Sequence, residues 1–333
     1  MANLITHALS YTKEDVQAYF LQPLFVGNKA FDYFEILTNV KSSQKLDKFG
    51  TLDKITKAEA SGFSGSVTGG NLYTQKTITV ARMEAEVEQA GGAFYNSVKG
   101  ELLKSGLNKD DISGTVLQQI VADIMLRGVQ RDLERQIWFG DTASGSANYS
   151  AYSGIFKALA GLPAAQKLAI ASGALGTDVA IAEFQSMIDA MPSEGLENRA
   201  DLCFFASRSL CDNYRASLRA GGQELAYLSL TDGTANLSFQ GIPIVEMGLW
   251  DTVITSDAAD IAPSLQNNAN NFDGHCAVLT VKNNIVIATD YEQVNGADLW
   301  YNKDEKYNRF RFEYVVGVNY KNDELTVTAD SNS

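Results

Sequence analysis

Residues 309 to 321 constrain this chain more than any other segment. Phe310, Phe312, Tyr314, Val316, Val318 and Tyr320 fall on one side of a strict alternation, and Arg309, Arg311, Glu313, Asn319 and Lys321 fall mostly on the other. A period of two sustained this long marks a long β-strand with one apolar face. A second segment carries the helical period. Between residues 113 and 138, Leu117, Val121, Met125, Val129, Leu133 and Ile137 recur every four residues. A helix of about 26 residues is a rod of roughly 39 Å. Asp110, Asp111 and Ser113 supply N-terminal capping chemistry, and Gly140 follows the end. A step of four overshoots a turn by about 40°, so the stripe winds about 200° around the rod. Its two ends face nearly opposite directions. Such a helix is either a beam that touches different partners at each end or a core helix of a large domain.

Other elements are shorter. Asp178 to Met191 has an amphipathic pattern stopped by Pro192. Leu202 to Ala206 reads as a buried strand, and Ser207 to Ala220 as a helix closed by Gly221-Gly222. Leu237 to Met247 is strand-like, broken by Gly241 and Pro243, and residues 256 to 274 read as a polar surface loop. Ala277 to Val281 and Ile285 to Ala288 flank Lys282-Asn283-Asn284 and read as a tight hairpin. Helices and strands mix without a regular βαβ rhythm, so the expected class is α+β.

The ends of the first hundred residues differ from this body. Residues 1 to 45 begin irregularly, and Leu21-Gln22-Pro23-Leu24-Phe25 suits an arm that docks its apolar residues elsewhere. Residues 46 to 82 hold Gly50, Gly62, Gly65, Gly69 and Gly70, many Lys and Thr, and few large apolar side chains. Strands at Leu52 to Ala58 and Leu72 to Arg82 around a glycine-rich tip predict a long projecting hairpin. A hairpin so poor in core residues is marginal alone, so it should gain order by lying on a neighbour.

Composition removes several classes of function. The chain has 27 Lys and Arg against 40 Asp and Glu, a net charge of −13. That lacks the cationic footprint of a dedicated nucleic-acid binder. Hydrophobic residues at 45% and charged residues at 20% are those of a globular chain. No run approaches about 18 apolar residues, so no membrane helix is expected, and the N-terminus has no signal-peptide pattern. Three cysteines, Cys203, Cys211 and Cys276, do not suggest a disulfide framework; a cytoplasm is the expected site of synthesis.

Enzyme motifs are missing. There is no P-loop, no G-x-G-x-x-G, no H-E-x-x-H and no C-x-x-C, and Gly62-Phe63-Ser64-Gly65-Ser66 has Ser where a nucleophile elbow needs Gly. His7 and His275 are the two histidines. His275-Cys276 alone cannot close a metal site, so both are read as structural. Glu84, Glu86 and Glu88 alternate on a strand or open a helix, in either case as a solvated face. No catalytic residue, cofactor or metal is expected.

The order of these elements resembles the Hong Kong 97 fold of the major capsid proteins of tailed double-stranded DNA bacteriophages. The likeness rests on Asp132-Leu133-Glu134-Arg135-Gln136-Ile137-Trp138-Phe139-Gly140-Asp141 followed by Ser153-Gly154-Ile155, on Phe184 to Pro192 with Leu202 to Ser207, on Phe239-Gln240-Gly241-Ile242-Pro243-Ile244-Val245, and on Arg309 to Tyr320. The resemblance implies an N-terminal arm over 1–45 and an extended β-hairpin loop over 46–84. It implies a peripheral domain over 85–160 and 290–333 with spine helix 113–138, and an axial domain over 161–289. It implies a structural protein that self-assembles through pentamers and hexamers into an icosahedral head, located in the virion. A separate scaffolding protein, a portal and decoration proteins are the implied partners, with packaged DNA touched only non-specifically and no membrane. Lys54, Lys57, Gly62, Phe63, Gly65, Gly69, Gly70 and Lys76 are the implied contacts between subunits. An encapsulin-type cargo shell shares the fold; a soluble carboxylate-dependent hydrolase is the reading from another class.

Overall fold

The computed structural model describes residues 30–49, 73–90, 116–170, 174–197, 199–220, 237–257, 260–261, 275–290 and 296–330. The strands are β1 (Glu35–Leu37), β2 (Ser43–Phe49), β3 (Tyr73–Thr79), β4 (Ala81–Ala90), β5 (Lys167–Ala169), β6 (Leu202–Ser207) and β7 (Ser238–Phe239). They continue with β8 (Ile242–Met247), β9 (Ala277–Val281), β10 (Ile285–Thr289), β11 (Gly296–Asn302), β12 (Tyr307–Tyr320) and β13 (Thr326–Asp330). The helices are α1 (Val116–Phe139), α2 (Ile155–Leu159), α3 (Val179–Asp189), α4 (Ser193–Glu197), α5 (Arg208–Ala220) and α6 (Trp250–Ser256).

These elements form the expected α+β architecture, organised on two sheets and a ribbon. The alternating segment is β12, and it is the axis of a five-stranded sheet. One edge of β12 pairs with β11 along its first half and β10 along its second; the other edge pairs with β4, and β1 adds to β10 in parallel. The second sheet has six strands in the order β5-β13-β9-β6-β8-β7. The ribbon is β2 paired antiparallel with β3.

Burial explains the sequence patterns. The apolar face of β12 joins Leu133, Ile137, Trp138, Phe139, Phe156 and Trp250 in the larger core. The six-stranded sheet is covered on both faces. Cys203, Phe205, Cys276 and Val278 point into the larger core, while Phe204, Ala206, Ala277 and Leu279 point into a second core with Phe184 and Tyr214. A strand covered on both sides reads as an unbroken apolar run, as β6 and β9 do. The larger core is rich in aromatic rings: Trp138 meets Trp250 edge-on with centroids 4.6 Å apart, and Phe34, Phe156 and Phe205 surround it. Rings in such tilted and edge-on contacts add about 1 kcal/mol each beyond burial.

Several expectations need correction. The segments around Lys282-Asn283-Asn284 are not a hairpin. Asn283 does take the left-handed backbone that a tight turn needs, with φ 64°. But β9 pairs with β6 and β13, whereas β10 pairs with β1 and β12. With both edges of each strand taken, the turn becomes a corner between sheets. The same crossing is made by the chain between β12 and β13, and buried Asn284 ties the two corners together. Its side chain donates to Thr326 Oγ1 at 2.7 Å and to Asn322 O at 3.0 Å, and accepts from Asn322 N at 2.9 Å. Consequently β10, from the stretch expected as axial, lies in the five-stranded sheet, and β13, from the stretch expected as peripheral, lies in the six-stranded one. The partner of β3 is Ser43–Phe49; the expected strand at 52–58 lies outside the described residues. Helix α6 was not anticipated, although Trp250 in its first turn is fully buried.

Candidate assembly surface

Two of the stretches that carry the resemblance, the Gly140-Asp141 turn and the Gly154-Ile155 step, form one mechanical joint. Helix α1 ends where Gly140 N donates to Gln136 O at 2.9 Å, and Gly154 N then donates to Gly140 O at 2.7 Å. The two glycines cross backbone against backbone. A Cβ on Gly154 would lie 2.7 Å from Gly140 N and 2.8 Å from both Gln136 O and Ile137 O. A Cβ on Gly140 would meet Tyr152 O at 2.6 Å. Between them Asp141 is wholly buried; it accepts from Ala143 N at 2.8 Å and forms an ion pair with Lys157 Nζ at 2.9 Å. The Gly-Asp turn and the Gly-Ile step are therefore two halves of one crossing, which seats the end of the long helix on the start of α2.

The long helix uses its stripe unevenly. Val129, Leu133 and Ile137 are buried, Met125 is half-buried, and Ile124 is 65% exposed. Leu117 and Val121 lie on the helix, but their side chains fall outside the described residues. The C-terminal half is thus a core element.

The ribbon is largely exposed. Its face toward the body carries Leu46 and Ile78, which pack on Val40, Val286 and Ala288. Most of its other side chains face solvent. At its root the ribbon crosses β12 over Gly317, where a Cβ would lie 2.2 Å from Thr79 O and 3.0 Å from Val80 Cα. Asn319 Nδ2 donates to Thr77 O at 2.9 Å. Lys76 Nζ lies 2.5 Å from Asp323 Oδ1 and 3.2 Å from the centroid of the Tyr320 ring, and Lys48 pairs with Glu324 at 3.0 Å. Burial pulls the Asp323 carboxyl upward, but its hydrogen bonds from Lys76 and Tyr320 outweigh that and hold it below the usual carboxylate range. Lys76 was expected at a contact between subunits; here its ammonium is engaged within its own chain. Lys54, Lys57, Gly62, Phe63, Gly65, Gly69 and Gly70 lie outside the described residues.

Glu84, Glu86 and Glu88 sit on β4, on the solvent face of the five-stranded sheet. They form a ladder with β12. Arg309 pairs with Glu88 at 2.8 Å and with Glu305, and Arg311 pairs with Glu84 at 2.8 Å, Glu86 at 3.2 Å and Glu313 at 2.7 Å. Glu313 stands directly opposite Glu84, so Arg311 neutralises a pair of like charges across the strands. Trp300, opposite Arg309 on β11, is 37% exposed on this sheet.

The nucleophilic and metal-ligating groups have structural partners. His275 does not work with Cys276: its Nδ1 lies 2.8 Å from Ser209 Oγ, while Asp251 accepts from Ser209 Oγ at 3.1 Å and from Ser209 N at 2.8 Å. Carboxylate and imidazole converge on one hydroxyl, whereas a nucleophilic relay places the imidazole between the other two. All three cysteines are buried and free, and burial raises their thiols, Cys211 to about 12. Among the described residues, no group of three or more His, Cys, Asp or Glu is arranged to hold a metal ion. No helix among them is long and apolar enough to cross a membrane.

No family model matches the chain, and no curated protein does. Solved structures do. A chain of the satellite phage P4 procapsid aligns over 93% of this chain and 97% of its own length, with a TM-score of 0.55 at 7% identity. A structure from Mycobacterium phage Ogopogo aligns over 90% of both chains, with a TM-score of 0.56 at 14% identity. The mature capsid of bacteriophage PhiM1 aligns over 90% of this chain and 85% of its own, with a TM-score of 0.52 at 11% identity. Alignments over 90–93% of this chain and 85–97% of each partner chain identify the architecture: this chain has the Hong Kong 97-type capsid-protein fold.

Proposed function

We propose that this chain is the major capsid protein of a tailed double-stranded DNA phage, assembling through pentamers and hexamers into an icosahedral head. The observation that carries the proposal is the ribbon. A two-stranded element with so little buried surface is marginal in isolation, yet it is built into a fold shared with capsid subunits. Its natural completion is the surface of the next subunit. Charge supports that placement. Residues 41 to 58 carry Lys41, Lys45, Lys48, Lys54 and Lys57 against Asp47 and Asp53, on a chain whose net charge is −13. A basic ribbon on an acidic body favours docking on another copy.

In this reading the five-stranded sheet and α1 form the peripheral part and the six-stranded sheet the axial part; the arm expected over 1–45 is limited to residues before 30, because Phe31 and Phe34 lie in the larger core and β1 in the five-stranded sheet. Gly62, Gly65, Gly69 and Gly70 let the tip adjust to pentamer and hexamer settings, and Phe63, Lys54 and Lys57 contact the neighbour. A separate scaffolding protein, a portal and decoration proteins complete the particle, and DNA is enclosed without sequence-specific contact. Negative-stain electron microscopy and size-exclusion chromatography test this, with the protein alone and with candidate scaffolds. Shells, tubes or capsomer rings are expected. Replacing residues 60–71 by a short turn should leave a soluble subunit that forms none. A subunit that stays monomeric under every condition overturns the proposal; intact shells from the shortened variant overturn the role of the tip.

A further inference from the structure

We infer that Lys76 and Lys48, acting on Asp323 and Glu324, are positioning residues that fix the direction of the ribbon and fasten it to the six-stranded sheet. The consequence for assembly rests on the capsid reading; the fastening itself does not.

Covalent attachment leaves the ribbon's direction open. It joins the body at two single strands of chain, near Ser42 and Val80. These are tied to each other by Val80 N donating to Ser42 O at 3.0 Å, and to β10 by Val40 N donating to Thr289 O at 3.2 Å. Register then places the body-facing side chains in order. Ile78 pairs with Gln44 at the root, Lys76 with Leu46 further out, and Lys48 with Thr74 beyond that. Ile78 therefore acts nearest the pivot, Leu46 and Lys76 act level with each other further out, and Lys48 acts farthest along the lever. Each strand of the ribbon contributes one lysine, so the two ion pairs resist rotation as well as lifting. Gly317 completes the seat by letting the ribbon backbone touch β12.

What the lysines grip belongs to the other sheet. Asp323 and Glu324 lie on the short turn that carries the chain from β12 into β13. Gln166 Nε2 donates to Asp323 O at 2.6 Å and to Thr326 O at 2.9 Å. Asn322 N donates to Asn284 Oδ1 at 2.9 Å. Gly195 of α4 packs so closely on Glu324 that a Cβ there would lie 3.2 Å from its carbonyl oxygen. The ribbon grows out of the five-stranded sheet but is clamped to a turn anchored in the six-stranded one. A shift of one sheet against the other must therefore redirect the ribbon or break these pairs.

Hydrogen exchange on the full chain tests this. Asp323→Lys and Lys76→Asp each replace attraction by repulsion and should speed exchange of the β2 and β3 amides roughly tenfold, leaving β9 and β12 unchanged. The double variant Lys76→Asp/Asp323→Lys should return ribbon exchange to within about twofold of wild type. Asp323→Asn is the milder variant should a reversal disturb folding, with a rise of a few-fold expected. In assembly, the single reversals should broaden particle size and the double variant should narrow it again. Unchanged ribbon exchange in the single variants, or a double variant no better than the singles, overturns the inference. Failure of the wild type to assemble would count against the capsid reading and leave the exchange result to judge the clamp.

Discussion

Gly154→Ala probes the joint at the end of the long helix. The added Cβ would sit 2.7–2.8 Å from Gly140 N, Gln136 O and Ile137 O. Ordinary contact begins near 3.4 Å, so the neighbours must recede by about 0.6 Å, and all of them are backbone. No rotamer change can relieve the clash. Overfilling a packed site costs about 1–3 kcal/mol, and the absence of any flexible neighbour places this change near the top, at about 3 kcal/mol. Two hydrogen bonds, Gly140 N to Gln136 O and Gly154 N to Gly140 O, stretch with it. A loss of about 3 kcal/mol lowers the melting temperature by roughly 4 °C in a chain of this size. Differential scanning calorimetry of the soluble subunit measures it. Gly128→Ala is the control: nothing lies within 4 Å of its Cβ, and alanine in a helix gains about 0.5–1 kcal/mol over glycine, so that variant should melt higher. A Gly154→Ala protein melting within about 1 °C of wild type would falsify the crossing as described.

Three further outcomes are expected. Asp141→Asn removes the charge that Lys157 faces; because Lys157 is one-third exposed, the cost is about 2 kcal/mol rather than that of a fully buried pair, and an unchanged urea midpoint would contradict it. The cysteines should resist a thiol reagent at pH 8 in the folded chain and all react in guanidinium, since burial raises each thiol; rapid labelling of any one without unfolding would show that its burial is wrong. Asp323 is held below its ordinary value of 3.8, so its contribution is present above about pH 4 and is lost as pH falls through the depressed folded value. Ribbon exchange, corrected for its intrinsic pH dependence, should therefore rise below about pH 4 in wild type and less in Asp323→Asn; parallel profiles would remove Asp323 as the cause.

Much of the fold was legible because burial leaves periods in sequence. β12 alternates because one face is covered along its whole length, and α1 repeats every four because Val129, Leu133 and Ile137 meet one core. The joint was legible as glycines, although only the structure shows that Gly140 and Gly154 touch. What escaped was pairing. β9 and β10 look like a hairpin because each is apolar and the turn between them is Asn-rich, and both features are equally true of a corner. Local pattern reports how a strand is buried and not which strand lies beside it. Lys76 escaped for a similar reason: a lysine on a solvated ribbon and a lysine clamped to Asp323 have the same sequence signature. The sequence signal for the clamp is the carboxylate pair Asp323-Glu324 in the short connection after β12, which calls for a basic partner.

β12 also shows how one strand serves two surfaces. Its outward side chains are Arg309, Arg311 and Glu313 in the first half, partly exposed and laddered with β4. In the second half the same face carries Val315, Gly317 and Asn319, and there it is covered by the ribbon. The change from charge to glycine falls where the ribbon crosses. A side chain at 317 would push the ribbon root outward and lengthen the Lys76–Asp323 contact, while a charge there would be trapped beneath backbone. The first half has the opposite need, since an exposed flat sheet face without charge invites uncontrolled association. The alternation read from sequence is therefore two designs in series on one strand: a charged face, then a glycine seat for the ribbon.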